Sequence, residues 1–253
     1  MGTSIAEPGL PLALVGVALV AIAVVVSAAG KLGHAGGVVR AALRAALQLA
    51  AVSALIAVVL MRLDTSAAFV ALMLGVAIAT SAKRSQAGRS GWWVGVAIAA
   101  GAVPVLLLIL ASGAVPLRGV AVVPIGGIVI GGAMTATTLA ARHALNAVRD
   151  RHGEVEAGMA IGLTDADARR EVARPAAADA MLPALDQTRT VGVVTLPGAF
   201  VGMLLGGASA IEAGSVQLLV LLALLAAQAI AVVGVAELVA TGRLTRERVA
   251  EAP

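Results

Sequence analysis

The sequence predicts an all-α integral membrane protein, and three observations carry that prediction. Hydrophobic residues make up 60% of the 253 residues and charged residues only 13%, and the mean hydropathy is +1.01, well outside the range of soluble chains. Several apolar stretches reach the roughly 20 residues that a helix needs to cross a bilayer. These stretches are continuously apolar and lack the alternation of a barrel strand, so helices are the expected spans.

About seven transmembrane helices are expected, forming one transmembrane domain over residues 1–253. The first apolar stretch is longer than a signal-peptide core and follows no Lys or Arg, so we predict a retained span there. The third stretch is the shortest. The predicted spans are residues 9–30, 45–61, 67–82, 91–110, 119–141, 191–210 and 214–240.

Basic residues alternate between the predicted connections. The first, third and fifth connections contain three, three and seven Lys or Arg, the second, fourth and sixth contain one, one and none, and the C-terminal tail contains three. Sixteen of the eighteen basic residues thus fall on one side, which the positive-inside rule assigns to the cytoplasm. We therefore predict a multi-pass protein of the inner (plasma) membrane, with the N-terminus outside and the C-terminus cytoplasmic.

The net charge of +4 follows from the same flanking residues. Aromatic residues are only 2% of the chain, so stacking platforms for bases are missing, and nucleic acid is not an expected partner. The chain has no cysteine, which excludes disulfides and thiolate metal sites.

The connection over residues 142–190 is much longer than two antiparallel helices need. The fifth span is expected to continue as helix to Arg151, and a helix to follow from Glu154. Thr164, with Asp167 three residues later, has the spacing of a capping pair that opens another helix. Pro175 is expected to interrupt that helix.

This cytoplasmic loop contains eight of the thirty-two charged residues within 154–175. Two uses fit such a segment. It could lie on the membrane surface as an amphipathic helix, or it could dock a cytoplasmic partner.

Residues 156–162, Glu-Ala-Gly-Met-Ala-Ile-Gly, resemble the EAA...G loop of ABC transporter permeases, whose coupling helix enters a cleft of the ATPase subunit. The flanking stretches VPIGGIVIGGAMTATTLA and TVGVVTLPGAFVGMLLGGASAIEAGSVQ, together with RAALQLAAV, are similar to the FetB-type permease family, the membrane subunit of an iron-export ABC system. The resemblance covers about residues 40–242, and GxVxLPGxxxGxxxGG is its most specific piece.

The resemblance implies a permease subunit that exports a metal ion such as iron, beside a second copy of itself in the lipid bilayer. ATP and Mg would be bound by a separate cytoplasmic ABC ATPase, because this chain has no GxxxxGK[ST] motif and is not itself expected to be an enzyme. The resemblance assigns ATPase coupling to Glu156, Ala157, Gly162, Thr164, Asp165 and Arg169.

The sequence departs from its relatives at several positions where they have polar or sulfur-containing side chains. At most of these positions this chain has an apolar or small residue instead, and at one of them it has Met in place of Gln. These positions are Ile128, Gly132, Ala199, Phe200, Val201 and Met203.

Polar groups and helix breakers inside the spans are the candidates for a transport pathway. Pro197 frees a carbonyl and Gly198 permits unusual backbone angles, as in the broken helices that line transport sites. Methionine thioethers suit soft ions, whereas membrane threonines often bond only to their own helix. The candidates are Gln48, Met134, Thr135, Thr195, Pro197, Gly198 and Met203, and the sequence designates no metal ligands.

Three alternatives stay open at this level. An ABC permease could carry a solute other than a metal. An ATP-independent carrier or channel would need an ionisable group within the membrane, and the spans are almost free of acids. An intramembrane enzyme would need a catalytic constellation, and the spans contain none that is recognisable.

Overall fold

The structure is a computed structural model that describes residues 9–246, apart from the Ala57 side chain; Arg248, one of the tail residues counted above, lies outside this range. Within the described residues the chain is helical and has no β-strand. The helices are α1 (Leu10–Ala29), α2 (Ala35–Met61), α3 (Leu63–Arg84), α4 (Val94–Ala111), α5 (Gly119–Asp150), α6 (His152–Ala160), α7 (Asp165–Ala178), α8 (Leu182–Thr190), α9 (Gly198–Leu205) and α10 (Ala210–Ala240).

Six described helices are long and apolar enough to cross a membrane: α1, α2, α3, α4 with the 3-10 turn Gly88–Trp93 before it, α5 and α10. The all-α membrane prediction is confirmed at this level. The third span has 22 residues, more than predicted, because its polar ends continue the helix beyond the apolar stretch. Asp64 in its first turn and Lys83 and Arg84 in its last complement the helix dipole.

The chain forms two compact units, Met1–Val59 and Leu60–Pro253. In the first unit, α1 ends where the Gly30 amide donates to the Val26 carbonyl. Helix α2 begins ten residues before the predicted second span, so that Arg40 and Arg44 lie within the helix. Backbone hydrogen bonding extends a helix into water wherever residues of adequate propensity continue it.

In the second unit, α3, α5 and α10 run in one direction and α4 runs against them. In each parallel pair of helices, the numbers of the residues in contact increase together along both helices. Ser81 Oγ and Thr138 Oγ1 lie 2.8 Å apart between α3 and α5. The buried clusters pair residues 125–133 of α5 with 220–227 of α10, and residues 136–145 with 232–239.

Small residues let these helices approach closely, as expected where lipid removes the hydrophobic drive for association. A Cβ added at Gly101 of α4 would lie 2.3 Å from the Ala227 carbonyl oxygen of α10. On α5, Gly127 faces the Met73 side chain, but Gly131 has nothing within 4 Å of the position that a Cβ would take. Within the described chain, only Gly127 of these two glycines is at a close helix contact.

The predicted sixth span, 191–210, is not a continuous helix. Helix α8 ends at Thr190, residues 191–197 form a turn, and α9 has only eight residues. At about 1.5 Å per residue, α9 is far shorter than the hydrocarbon core. Pro197 caps α9 in an extended conformation (ψ 145°), so the break predicted for Pro197 and Gly198 separates two short helices and does not kink one long helix. Residues 182–205 are called the interrupted segment below.

The interrupted segment lies beside the middle of two apolar helices. Ala184 and Gln187 of α8 share a cavity with Thr135 of α5 and Leu224 and Gln228 of α10. Because α5 and α10 run in the same direction, the chain between them has to return along their length, and this segment makes most of that return.

The basic ends of the second unit lie together. Ser90 Oγ accepts a hydrogen bond of 3.0 Å from the Thr245 amide, the Arg243 guanidinium lies 5.4 Å from the Trp93 ring centroid, and Arg246 donates to Asn146 Oδ1. These contacts bring three basic segments to the same end of the second unit, as their positive charge predicted. The segments are the third connection, the C-terminal end of α5 and the start of the tail.

Candidate functional site

Helices α6 and α7 form a hairpin at the basic end, and a small apolar cluster holds it together. Val155 of α6 is buried against Ala168 and Val172 of α7. Gly158 allows the close approach, since a Cβ there would lie 3.1 Å from the Ala168 Cβ. The predicted pair of helices is confirmed, and we name residues 152–178 the α6–α7 hairpin.

Gly162 forms the turn of the hairpin. Its φ of +100° is a conformation that residues with a side chain rarely adopt. The Gly162 amide donates to the Met159 carbonyl at 3.0 Å and the Leu163 amide to the Gly158 carbonyl at 3.1 Å, which closes the end of α6. Glycine is therefore required by the backbone here.

Thr164 caps α7, as its spacing predicted. Its hydroxyl accepts from the Asp167 amide at 3.1 Å and donates to Asp167 Oδ2 at 2.6 Å. That second hydrogen bond, assisted by the nearby Arg170 charge, holds the pKa of the Asp167 carboxyl below its usual range. The stabilisation from this hydroxyl–carboxylate bond is therefore fully present at neutral pH and is lost only as the pH falls below the ordinary pKa of aspartate, about 4.

Pro175 does not interrupt this helix, contrary to expectation. It lies inside α7, which continues to Ala178. The lost amide costs one backbone hydrogen bond, but Ala173 and Ala177 on either side are completely buried against α5 and α10. Tertiary packing thus outweighs the local preference.

The tip of the hairpin is an exposed surface with both apolar and charged groups. Ile161 is 84% exposed, and Met159 and Leu163 are about 40% exposed. Glu156 lies on the same helix, 3.4 Å from His152 Nε2. An exposed apolar patch with a polar rim is typical of a surface that binds another protein or a membrane, so both uses expected from the sequence fit this tip.

The hairpin is tied to the last turn of α10 by an ionic network. Arg170 Nε donates to Glu237 Oε1 at 3.0 Å and Arg170 Nη2 donates to Oε2 at 2.9 Å. Arg174 Nη2 also donates to Oε1, at 2.9 Å. Arg170 also binds Asp167, which Thr164 holds. The network therefore runs unbroken from the cap of α7 to the end of a long apolar helix.

The six residues predicted for ATPase coupling all lie on the α6–α7 hairpin. Glu156, Ala157 and Gly162 are exposed around its tip. Thr164 caps α7, and Asp165 pairs with Arg169 at 2.9 Å. Sequence reasoning missed Arg170 and Arg174, whose partner Glu237 is more than 60 residues away along the chain.

A second candidate site is a cavity of about 310 Å³ between α5, α8 and α10, at the middle of the apolar helices. Its polar lining groups are the hydroxyl of Thr135 and the amides of Gln187 and Gln228. Of these only Thr135 was predicted, and its hydroxyl donates to the Gly131 carbonyl at 3.0 Å. The spacing of Gln228 from Gln217 on α10 was the sequence signal that could have identified the site.

The other predicted pathway residues do not gather at this cavity. Met134 packs against the core, and Gln48 lies on α2 in the first unit. Met203 lies on α9. Pro197 lines a smaller cavity of about 200 Å³ with Gln217, and Thr195 and Gly198 flank it in the chain. Among the described residues, no group of three or more His, Cys, Asp or Glu could hold a metal ion.

Comparison with known proteins places relatives over nearly the whole chain. The profile described as "Uncharacterised protein family (UPF0014)" matches residues 11–242. The rice "UPF0014 membrane protein STAR2" is 30% identical over 84% of this chain and 76% of its own length, and the Arabidopsis "Protein ALUMINUM SENSITIVE 3" is 28% identical over 80% and 76%. The Escherichia coli "Probable iron export permease protein FetB" is 29% identical over 51% of this chain and 50% of its own length. No solved structure matches.

Proposed function

Since the chain belongs to the UPF0014 family of multi-pass membrane proteins, we propose that it is the permease subunit of an ABC transporter that exports a metal ion. A separate cytoplasmic ATPase binds and hydrolyses ATP with Mg, and the permease itself catalyses no reaction. The name of the FetB relative supports an iron-like metal, and the name of the Arabidopsis relative links another member to aluminium.

The observation that carries this proposal is the ionic link between the α6–α7 hairpin and α10. A coupling element needs an exposed surface for the ATPase and a stiff connection to the transmembrane helices. The tip around Ile161 supplies the surface. Two arginines of α7 on one carboxylate of α10 supply the connection, and charge-assisted bonds of this kind are among the stronger ones in proteins.

The proposal includes a topology of seven crossings. Five would lie in the second unit, with the interrupted segment as one of them, and α1 and α2 would supply two more. The N-terminus is then outside and the α6–α7 hairpin cytoplasmic, which agrees with the grouping of basic residues at one end.

A second copy of the chain is also part of the proposal. Asp186 and Arg189 of α8 pair loosely at 3.6 Å, and their side chains are about 70% exposed. The turn over residues 191–197 leaves backbone groups outside any helix. Lipid cannot cover charged groups or irregular backbone at membrane depth, so a homodimer that encloses a watery pathway accounts for this face.

Docking is tested by co-purification with the ABC ATPase that is proposed as the partner. Ile161→Asp puts a charge into the apolar tip of the hairpin and is expected to abolish co-purification. Ile211→Asp is the matched control, because Ile211 is 83% exposed at the opposite end of the second unit. Equal recovery of the ATPase with both variants would refute docking at the hairpin.

A further inference from the structure

Helix α10 carries two glutamines that have no hydrogen-bond partner among the described residues. Gln217 and Gln228 are eleven residues apart, or about three turns, so they lie on the same side of the helix. Each is only 7% exposed, and Gln217 Oε1 is a buried acceptor without a donor. Leaving the buried Gln217 Oε1 unpaired costs about 1–3 kcal/mol, and the Gln228 amide faces its cavity without a protein partner, so this face of an apolar helix calls for a ligand or for water.

Both glutamines line cavities formed with the interrupted segment. Gln228 lines the cavity of about 310 Å³ opposite Gln187 of α8. Gln217 lines the cavity of about 200 Å³ beside Gly192 and Pro197. We name these three side chains, Gln187, Gln217 and Gln228, the glutamine track.

Gly132 lets α10 come close to α5 beside the larger cavity. A Cβ on Gly132 would lie 3.0 Å from Gln228 Nε2 and 2.1 Å from a Leu224 methyl carbon. Gly131, one residue earlier, has no atom within 4 Å of its Cβ position. The Gln228 amide thus lies directly beside the α5 backbone, and the open space lies in front of Gly131.

The lining of the track offers few groups for direct coordination of a metal. Among the described residues, no Asp, Glu, His or Met lines either cavity. The larger cavity offers two glutamine amides and one threonine hydroxyl, fewer than the six oxygen ligands that a hard divalent ion such as Mg²⁺ takes. Amide oxygens can accept hydrogen bonds from water bound to a metal, and rings of neutral carbonyl oxygens are known to stabilise cations. Six waters occupy roughly 180 Å³ at about 30 Å³ each, which fits the larger cavity.

We infer that the glutamine track binds a divalent metal ion with its water shell intact, through hydrogen bonds from the coordinated waters to the glutamine side chains. This inference rests on the proposed metal-exporting function and specifies the form in which the cargo travels. Small divalent ions that give up water reluctantly are the best suited.

The test uses cysteine labelling, for which the cysteine-free chain is a ready background. Gln228→Cys and Gln187→Cys are purified without the ATPase and treated with a water-soluble cationic methanethiosulfonate. Thr137→Cys is the matched control for burial, because Thr137 is fully buried with an unpartnered hydroxyl and lines neither cavity. Leu222→Cys controls for a site facing lipid, since Leu222 is 53% exposed on α10.

Labelling of both track variants is expected to be at least about tenfold faster than labelling of the two controls, because the reactive thiolate forms only in contact with water. Hexaamminecobalt(III), which mimics a hydrated ion but does not exchange its ligands, is expected to slow that labelling, and Mg²⁺ to do the same. Gel filtration checks that each variant is folded. If only one of the two track variants folds, its labelling rate alone is sufficient to test the inference.

Two results would overturn the inference. Labelling as slow as in Thr137→Cys would mean that the track is dry. Protection by Mg²⁺ without protection by hexaamminecobalt(III) would mean direct coordination by protein oxygens, because Mg²⁺ does not bind the introduced thiol. Because the ATPase is absent, neither result depends on coupling, and a failure of ATPase docking would leave the labelling unchanged.

Discussion

At the scale of single residues, Gly162 and Gly153 separate two reasons for a glycine in the α6–α7 hairpin. Neither has an atom within 4 Å of its Cβ position, so a methyl group fits at both. Only Gly162 has a positive φ. Backbone strain is thus the only difference expected between substitutions at these two positions.

Gly162→Ala is predicted to destabilise the α6–α7 hairpin by about 1–2 kcal/mol, the cost of the left-handed conformation for a residue with a Cβ. Gly153→Ala, in the first turn of α6, is expected to be neutral or mildly stabilising, because alanine favours helix. Hydrogen exchange of the α6 amides measures both. Equal exchange in the two variants would show that the turn is not what fixes the hairpin.

Residues differ in how far the sequence alone reveals them. Thr164 was predictable, because a cap depends on residues three positions apart. Gln228 was not, because its importance comes from a cavity formed with Gln187, forty-one positions earlier. Arg170 and Arg174 were missed for the same reason, since nothing local marks Glu237 as their partner.

At the scale of elements, α7 and α10 are joined twice, by buried alanines and by the Glu237 network. Apolar packing alone is enough to hold α7 and α10 together. The ion pairs add hydrogen bonds of fixed direction between the two helices, near the point where an ATPase would push on the hairpin. The network is thus expected to matter more for coupling than for assembly.

Glu237→Gln is predicted to leave the ATPase bound but to reduce stimulated ATP hydrolysis per bound ATPase. Loss of the charge weakens hydrogen bonds to two arginines, and solvent screening of this partly exposed network keeps the loss of stability to about 1 kcal/mol or less. Glu212→Gln at the other end of α10 is the control, because glutamine preserves the capping box with Ser209. Equal stimulation in both variants would contradict a coupling role for Glu237.

The interrupted segment shows why element boundaries were the weakest prediction. Residues 191–210 are apolar and long enough for a span, so composition favoured a continuous helix. Pro197 pointed to a break, but the turn over 191–197 begins before it, where Gly192 adopts a φ of +82°. A polar α8 beside the middle of α5 and α10 could be recognised only from their packing.

At the scale of the whole molecule, the second unit is a bundle whose helices touch through glycine and alanine. Gly101 of α4 is the tightest point against backbone, 2.3 Å from the Ala227 carbonyl oxygen if a Cβ is added. A carbonyl within a helix cannot move aside as a flexible side chain can. Close contact there therefore fixes the distance between α4 and α10.

Gly101→Ala is predicted to destabilise the protein by about 1–3 kcal/mol through overpacking. Gly75→Ala, on α3, should be tolerated because nothing lies within 4 Å of its Cβ position. Thermal unfolding in detergent compares the two variants. A Tm for Gly101→Ala equal to that of the native chain would mean that α4 and α10 do not pack as described.

The membrane class and the basic end were predictable because both follow from composition summed over many residues. The directions of α3, α4, α5 and α10 relative to one another agree with the alternation of basic residues between the predicted spans. The cavities beside α5 and α10 were not predictable, because they depend on contacts that no single stretch encodes.

The most direct measurement is ATP hydrolysis by the proposed partner ATPase, reconstituted in lipid with this subunit and assayed across a panel of metal ions. The account predicts metal-dependent stimulation with the native chain, loss of stimulation with Ile161→Asp and retention with Ile211→Asp. Two results would contradict a metal permease that is driven through the α6–α7 hairpin. One is a complex that assembles but whose rate of ATP hydrolysis does not change with any metal. The other is metal-dependent stimulation that is retained in the Ile161→Asp variant.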